Sequence, residues 1–400
     1  MVNSRKLPEY IETAIIGAGP HSLTLVNHLL HKKPKLRSRV MVFDPSGEWL
    51  TQWRHQLEAQ EIIHLRSPAV HHPAPNPFAL RKFAETRPSE LYPPYDLPGT
   101  KLFQDFCDHL IKTNGLEKLI FPAIVTKIKP LKPKNFQLQL SSGQEICTRR
   151  VVVATRADEI NLPPWVKNLQ PPTLVHSHQV DLRSLNLQGE NILIIGGGLT
   201  SGHLALGAIA KGATVDLMSR KQLQEKLFDT DPGWLGPKYL KSFEAQPCWH
   251  ERYDMIQKAR NGGSLTPAVM LKLKRLTREG KLNLQENCQV THAHHHQNQW
   301  YIKCENGQTQ QYDRIWLATG SKFQAQNHHL LEDIWGQYNT PIIQGLPVLD
   351  KYLRVKGAEL FIMGGLASLR LGPTARNLSG AIKASNLITE ALVKPSLYLD

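Results

Sequence analysis

The apolar run Ala14-Ile15-Ile16, entered from Thr13, has the unbroken character of a strand covered on both faces, and it stops at Gly17-Ala18-Gly19-Pro20-His21-Ser22. Leu23 to Leu30 then reads as a helix, and Arg39-Val40-Met41-Val42-Phe43 as a second strand ending on Asp44. The same order returns later: Asn191 to Ile195 as strand, Gly196-Gly197-Gly198-Leu199-Thr200-Ser201 as turn, a helix from about Thr200 to Lys211, and Ala213 to Met218 as strand. Between the two units the pattern predicts a helix from Leu102 to Thr113 and alternating strands at Ala123 to Lys129 and Asn135 to Leu140. Arg150-Val151-Val152-Val153-Ala154-Thr155 reads as a buried strand, and Arg314-Ile315-Trp316-Leu317-Ala318-Thr319-Gly320 echoes it. Near the C-terminus Leu360 to Met363 reads as a strand ending on Gly364-Gly365, and a helix from about Arg376 to Val393 follows Leu371-Gly372-Pro373.

Each of the two glycine-rich turns sits inside a βαβ unit. A first glycine permits the tight turn, a second lets a pyrophosphate approach the backbone, and a small third residue lets helix pack on strand. Ser22 holds the third place in the first unit and is still small. The helix N-terminus offers unpaired N–H groups and partial positive charge, while Asp44 lies where a ribose diol needs an acceptor. This unit is read as the FAD adenosine site, built from Gly17, Gly19, Pro20, His21, Ser22 and Asp44. The second unit ends on Ser219, Arg220 and Lys221 instead of an acid, so it can bind a 2′-phosphate that a carboxylate would repel. It is read as an NADPH site formed by Gly196, Gly198, Leu199, Thr200, Ser201, Ser219 and Arg220.

The fold class that follows is α/β, with two Rossmann-like dinucleotide-binding domains and the NADPH domain inserted into the FAD domain. The expected divisions are 1–160 for the first part of the FAD domain, 161–188 for a linker, 189–313 for the NADPH domain and 314–400 for the second part of the FAD domain. The echoed strands mark the two crossings. The long proline-rich stretch Pro45 to Thr100 is expected to be a functional loop region. A C-terminal strand returning to the first sheet would aim the following helix N-terminus, with its partial positive charge, at a flavin ring.

Composition narrows the class further. The chain has 400 residues, 41% hydrophobic and 20% charged, which is the balance of a globular protein of two to three domains. No apolar run nears the roughly 20 residues that span a bilayer. The first ten residues are polar and basic without the core of a secretory signal, so a cytoplasmic location is expected. A net charge of +14 exceeds what two dinucleotides account for. The densest cluster, Lys127 to Lys134, reads as a solvated hairpin, with contact to nucleic acid or an anionic membrane surface as the alternatives; no zinc-finger, homeodomain or RNA-binding signature accompanies it. The five cysteines contain no Cys-x-x-Cys pair, which argues against a redox dithiol and a cysteine zinc site. His292, His294, His295 and His296 alternate faces in a strand, so a solvated strand is preferred to a metal site there. His71 and His72 are assigned to packing, with substrate contact as the alternative.

Together these residues resemble the class B flavin monooxygenases, in which an NADPH domain is inserted into an FAD domain. The paired strand ends Ala154-Thr155 and Ala318-Thr319-Gly320 are similar to that family's two crossings. Val175-His176-Ser177-His178 is similar to the linker before its NADPH site. Leu65-Arg66-Ser67-Pro68 is nearest the amine-hydroxylating branch, which acts on lysine or ornithine. The resemblance implies that Trp49, Gln52, Trp53 and Arg66, with Thr155, Thr319, Gly320, Gly365, Leu371, Gly372 and Pro373, approach the cofactors. Two departures stand out: Arg156 replaces a glycine at the first crossing, and Pro171 to His176 keeps only the histidine of the fuller linker signature, which argues against Baeyer–Villiger chemistry.

The implied activity is reduction of FAD by NADPH followed by transfer of one oxygen atom from O2 to a small nucleophilic substrate, in the manner of N-hydroxylation. In such an enzyme the cofactor carries the oxygen chemistry and the protein binds, orients and excludes water. Phe228 to Lys238 and Ala259 to Ser264 interrupt the NADPH domain with acids, turns and an aromatic and are candidates to cap the substrate. Asp229, Asp231, Trp234 and Asn261 are the candidate pocket residues, with the two acids as anchors for an ammonium group and packing of Trp234 on its own domain as the alternative. A flavin or quinone reductase without oxygen transfer, and a flavin-binding regulatory protein, are the competing readings.

Overall fold

The computed structural model describes residues 6–131, 135–156, 158–167, 169, 173–260 and 262–394. Asn261, Pro171, Pro172 and the Lys132 to Lys134 end of the basic cluster lie outside the described residues.

The first βαβ unit forms as its pattern predicts, with wider bounds. Strand β1 (Tyr10–Ile16) leads into helix α1 (Pro20–Lys32), and β2 (Val40–Asp44) runs parallel to β1 with Ile16 opposite Phe43. Pro20 takes the first helical turn, where a missing N–H costs nothing, so the helix begins three residues before the apolar run. Helix α2 (Thr51–Ala59) forms inside the stretch expected as loop, α3 (Thr100–Thr113) follows that stretch, and β3 (Ile120–Pro122) pairs with β2. Strands β4 (Val125–Leu131), β5 (Asn135–Leu140) and β6 (Glu145–Val153) form an antiparallel meander.

Strand β6 changes character midway. Burial alternates from Glu145 to Arg150, where its neighbour on one side is β5, and is complete from Val151 to Val153, where a C-terminal strand replaces β5. Alternation followed by a continuous apolar run is what a strand passing from a one-sided to a two-sided setting requires.

The inserted unit contains β7 (Leu174–His176), β8 (Asn191–Ile195), α4 (Leu199–Ala210), β9 (Thr214–Ser219), α5 (Pro237–Ala245), α6 (Trp249–Arg260), α7 (Pro267–Arg278) and β10 (Leu282–Glu286). A three-stranded antiparallel sheet follows, β11 (Val290–His296), β12 (Gln299–Cys304) and β13 (Thr309–Tyr312), and then β14 (Arg314–Leu317). Its main sheet is entirely parallel in the order β7-β14-β8-β9-β10.

The chain then returns. Strand β15 (Leu360–Ile362) adds parallel to β6 in the first sheet, whose order is β3-β2-β1-β6-β5-β4, and helix α8 (Leu378–Val393) packs on α1. The two-domain α/β architecture with one unit inserted in the other is thus observed. The crossings lie side by side: Ser321–Phe323 pairs antiparallel with Asp158–Ile160.

Two structural features go beyond the sequence pattern. Trp234, Leu240, Phe243 and Ile256 belong to the inserted segment, yet they are buried in the first unit's core with Leu369 and Leu371. Trp234 packs on Tyr239 and Phe243 of its own segment and, together with them, against the first unit's core. The second feature is an ionic cluster under β6 and β15. Arg150, 1% exposed, donates to Glu12 (3.1 Å) and Glu359 (3.0 Å), and Arg354 donates to Glu359 (3.1 Å) and Asp350 (2.8 Å). It ties β1, β6 and the returning segment together across distant parts of the chain.

Removing one partner of such a buried set leaves a charge without compensation. Glu359→Ala is expected to lower stability by about 3 kcal/mol, read as a fall in the denaturant midpoint; an unchanged midpoint would show that the cluster contributes nothing.

Candidate functional site

The two glycine turns share one backbone frame. In the first, Gly17 N–H donates to Phe43 O of β2 (2.8 Å) while Ala154 N–H, just past β6, donates to Ile16 O (3.0 Å). In the second, Gly196 N–H donates to Met218 O of β9 (2.9 Å) and Ala318 N–H, just past β14, donates to Ile195 O (2.8 Å). Gly17 and Gly196 have φ of +97° and +154°, and a Cβ on either would press on the carbonyl of Ala154 or Ala318. Only glycine turns there without displacing the neighbouring strand.

Gly19 and Gly198 differ from these. They are the N-caps of α1 and α4, their φ values of −80° and −106° suit any residue, and a Cβ on either would meet no protein atom within 4 Å. No side chain caps either helix. Each turn therefore presents a bare helix N-terminus to open space, the arrangement that receives a phosphate group. His21 adds a polar atom at the first turn. Its Nε2 lies 3.3 Å from Arg376 O, its Nδ1 is buried without a partner, and burial lowers its pKa to about 4, so the ring is neutral. Ser22 supplies what the missing glycine would not, a hydrogen bond from Oγ to Gly17 O (2.5 Å) that closes the turn.

Asp44 is turned toward the same place. Its Oδ2 accepts from Ala18 N–H (2.9 Å), and its Oδ1 accepts from the N–H and hydroxyl of Ser46 (3.0 and 2.6 Å). A carboxylate has about four acceptor positions, so Oδ2 keeps one for a hydroxyl.

Several residues expected at the cofactor have partners within the protein. Trp49 is buried with its indole N–H donated to Leu116 O (3.1 Å), and Trp53 packs on Phe103 at 5.4 Å, whereas Gln52 is exposed. Arg66 reaches into the inserted unit, donating to Leu227 O (2.8 Å), Lys226 O (2.6 Å) and Ser264 Oγ (2.8 Å). It clasps the two units.

At the first crossing Thr155 Oγ lies 3.2 Å from Nε2 of His328. Leu330 N–H donates to the Nδ1 of that ring (3.3 Å), so Nε2 carries the hydrogen and donates to Thr155. Burial holds His328 at a pKa of about 4. No periodicity marked His328; it lies 173 residues from its partner. Gly365, beyond β15, supports the ring of Phe323 from the second crossing, which fills the space a Cβ would need. Leu371, Gly372 and Pro373 are buried, with Trp234, Leu240 and Phe243 over Gly372.

In the second cleft Leu199 and Thr200 open α4 and are half-buried, and the buried Ser201 donates to Gly198 O (2.7 Å). Ser219 is buried beside Gly197, and Arg220 is exposed at the mouth. Thr319 donates to Asn161 O (2.5 Å) and Gly320 O accepts from Asn161 N–H (3.0 Å), so these two residues close the crossing ribbon. Arg156 is exposed and its Nη2 lies 3.1 Å from His178 Nε2.

The candidate pocket acids do not behave alike. Asp229 accepts from Arg260 (2.7 Å) and Asn377 (3.2 Å); burial opposes its charge, but Arg260, Arg376 and Arg66 outweigh it and hold its pKa below the ordinary value. An ammonium group bound there would share the carboxylate with Arg260 and Asn377. Asp231 is exposed and accepts from Gly233 N–H (2.7 Å), so it caps a short turn of helix. Trp234 packs on Tyr239 and Phe243. Asp229, Asp231 and Trp234 thus each have partners of their own within the protein, and the fourth candidate, Asn261, lies outside the described residues. His294 stacks on Tyr301 and His295 packs on Trp300, and among the described residues no three His, Cys, Asp or Glu side chains are arranged to hold a metal. His72 is buried against Phe106, and His71 lies 2.9 Å from Ser67 Oγ. Among the described residues no helix is long and apolar enough to cross a membrane.

Comparison with known proteins places this geometry. Residues 14–156 match a family model described as FAD-NAD(P)-binding, and residues 100–323 match the model of L-lysine 6-monooxygenase/L-ornithine 5-monooxygenase. No curated protein matches the chain. Ornithine hydroxylase (PvdA) from Pseudomonas aeruginosa superposes with a TM-score of 0.78 at 16% identity, covering 96% of this chain and 98% of its own. The ornithine N-hydroxylase KtzI of Kutzneria sp. 744, with reduced FAD, NADP+ and L-ornithine, gives 0.78 at 15% identity, covering 96% and 99%. The cadaverine monooxygenase DfoA from Erwinia amylovora, bound to FAD, gives 0.76 at 15% identity, covering 94% and 93%. At these identities the likeness establishes the fold.

Because nothing in the protein opposes a methyl at Gly19, Gly19→Ala is expected to fold normally and to be purified with little flavin; a fully flavinated variant would remove the turn from the cofactor site. Acid should act on the same region. His21 and His328 are neutral when folded, with pKa values near 4 against 6.5 unfolded, so the unfolded chain binds more protons between these values and stability falls as pH drops from 6.5 toward 4. Replacing either histidine with glutamine should flatten that slope in melting experiments.

Proposed function

We propose, from the fact that the chain belongs to the L-lysine 6-monooxygenase/L-ornithine 5-monooxygenase family, that it hydroxylates the terminal nitrogen of a small aliphatic amine. The family match supports this most strongly, because residues 100–323 include both crossings and the whole inserted unit between them. The protein is an FAD- and NADPH-dependent monooxygenase, and the balance is amine + NADPH + H+ + O2 giving hydroxylamine + NADP+ + H2O. Bound FAD supplies the hydride acceptor and the oxygen chemistry.

In this reading the bare N-terminus of α1 at Gly17 to Ser22 holds the FAD pyrophosphate, with the free acceptor position of Asp44 on the adenosine ribose and His21 Nδ1 as a neutral acceptor nearby. The N-terminus of α4 at Gly196 to Ser201 holds the NADPH pyrophosphate, and Ser219 with Arg220 reads its 2′-phosphate. Thr155, held from behind by His328, keeps its hydroxyl hydrogen to donate toward the flavin side of the first crossing. Leu371 to Pro373, buried under Trp234 and Phe243, excludes water there. The requirement for NADPH supports a cytoplasmic location.

Supplying purified holoenzyme with lysine, ornithine and short diamines, and measuring hydroxylamine against NADPH consumed, tests the reading. Near-stoichiometric hydroxylamine with one of them is expected. NADPH oxidation that yields only hydrogen peroxide with every amine would favour a reductase. Arg220→Ala, which removes a charged hydrogen bond worth about 1.5–3 kcal/mol, should weaken NADPH binding roughly 10- to 150-fold and leave NADH unaffected; equal effects on both would reassign the phosphate reader.

A further inference from the structure

A chain of polar contacts runs from the first glycine turn into the inserted unit. His21 lies against Arg376 O, the next residue Asn377 donates to Asp229 (3.2 Å), and Asp229 accepts from Arg260 Nη2 (2.7 Å). The other arm of that guanidinium, Nη1, donates to Pro373 O (2.6 Å). Three segments meet here: residues 226–264 of the insertion, the buried turn at Leu371 to Pro373, and the N-cap of α8. Arg66 arrives from a fourth, the loop after α2.

Asp229 feels the charges of three arginines, Arg260, Arg376 and Arg66. Arg66 and Arg260 repel one another, and each is tied to carbonyls of the opposite unit: Arg66 to Lys226 and Leu227, Arg260 to Pro373. Without the carboxylate the two cations separate, and the atom that Arg260 steers is the Pro373 carbonyl. Gly372, next to it, has φ of +83° and lies against Leu240, Trp234 and Phe243, so a shift at Pro373 disturbs that packing.

We propose that Asp229 is a positioning residue: through Arg260 it sets the Leu371–Pro373 turn, and thereby keeps NADPH oxidation coupled to oxygen transfer. This rests on the reading above that the turn shields the flavin from water. When the turn slackens, water enters and the same reductant is spent as NADPH + H+ + O2 giving NADP+ + H2O2. The sequence pattern pointed to Asp229 as an ammonium anchor; its contacts with Arg260 and Asn377 are what support this role.

The test uses holoenzyme with the amine that the wild type accepts. Asp229→Asn is expected to raise the peroxide formed per NADPH and lower the hydroxylamine, with the amine KM little changed, and Asp229→Glu to restore most of the coupling. Arg260→Gln should reproduce the defect, and the double variant should be no worse than either single, because both act through one contact chain. If Asp229→Asn is not recovered folded, Arg260→Gln decides alone. Wild-type coupling in either variant overturns the proposal. So does a rise in amine KM of roughly 10- to 150-fold with coupling intact, which would make the carboxylate the amine's partner. If the wild type forms no hydroxylamine with any amine, the functional reading fails separately, and quenching of the bound flavin's fluorescence by iodide decides the latch: greater quenching in Asp229→Asn supports it, and identical quenching overturns it.

Discussion

The contact on which both clefts depend is the close approach of a neighbouring strand's carbonyl to the first glycine of each turn. At Gly196 the carbonyl of Ala318 sits where a Cβ would be, and at Gly17 that of Ala154 lies 3.1 Å from it. This approach lets the strand ends at Ile16 and Ile195 hydrogen-bond onward to the crossings while the chain reverses into a helix. The helix N-terminus is then left facing open space, and the partial charge of its free N–H groups is what an anionic cofactor meets. A side chain at either glycine would move the crossing strand as well as the turn.

A two-unit protein built this way has a second requirement, since each unit folds around its own sheet, mixed in the first and parallel in the second, and the two must still be held together. The connection is made by two different means. The crossings pair as a short antiparallel ribbon, Asp158–Ile160 with Ser321–Phe323, which aligns the units at one point. Residues 226–264 then reach back to the first unit, burying Trp234, Leu240, Phe243 and Ile256 in its core and making hydrogen bonds to it through Arg66, Asp229, Arg252 and Arg260. Apolar burial supplies most of the attraction, and the arginines fix the register because each guanidinium accepts only a few geometries. Arg252 illustrates this: it donates to Gln246 O, Glu244 O and Leu369 O, and so ties the bend between two inserted helices to the C-terminal segment.

Buried ionisable groups follow the same division. Histidines near the cleft, His21 and His328, are kept neutral by burial and serve as fixed hydrogen-bonding groups. Arg150 and Arg354, by contrast, remain among Glu12, Glu359 and Asp350, where the returning strand meets the first sheet. Burial alone keeps a histidine neutral, whereas these buried guanidinium groups keep their charge with carboxylates around them.

The sequence by itself determined the two βαβ units, their order, the insertion and the opposite character of the two strand ends, because these rest on short-range rules of periodicity, glycine geometry and charge. The C-terminal strand and helix were legible for the same reason. What only the tertiary structure decided is which side chains remain available. Trp49, Trp53, Arg66 and Asp229 have the chemistry expected of cofactor or substrate contacts, yet Leu116, Phe103, Leu227 and Arg260 engage them. Those partners lie 31 to 161 residues away, as from Asp229 to Arg260 and from Arg66 to Leu227, beyond the reach of any local pattern. Thr155 and His328 became neighbours by the same folding. A residue type declares what it can bind, but whether its atoms are already bound depends on which distant segments the packing of the two sheets brings against it.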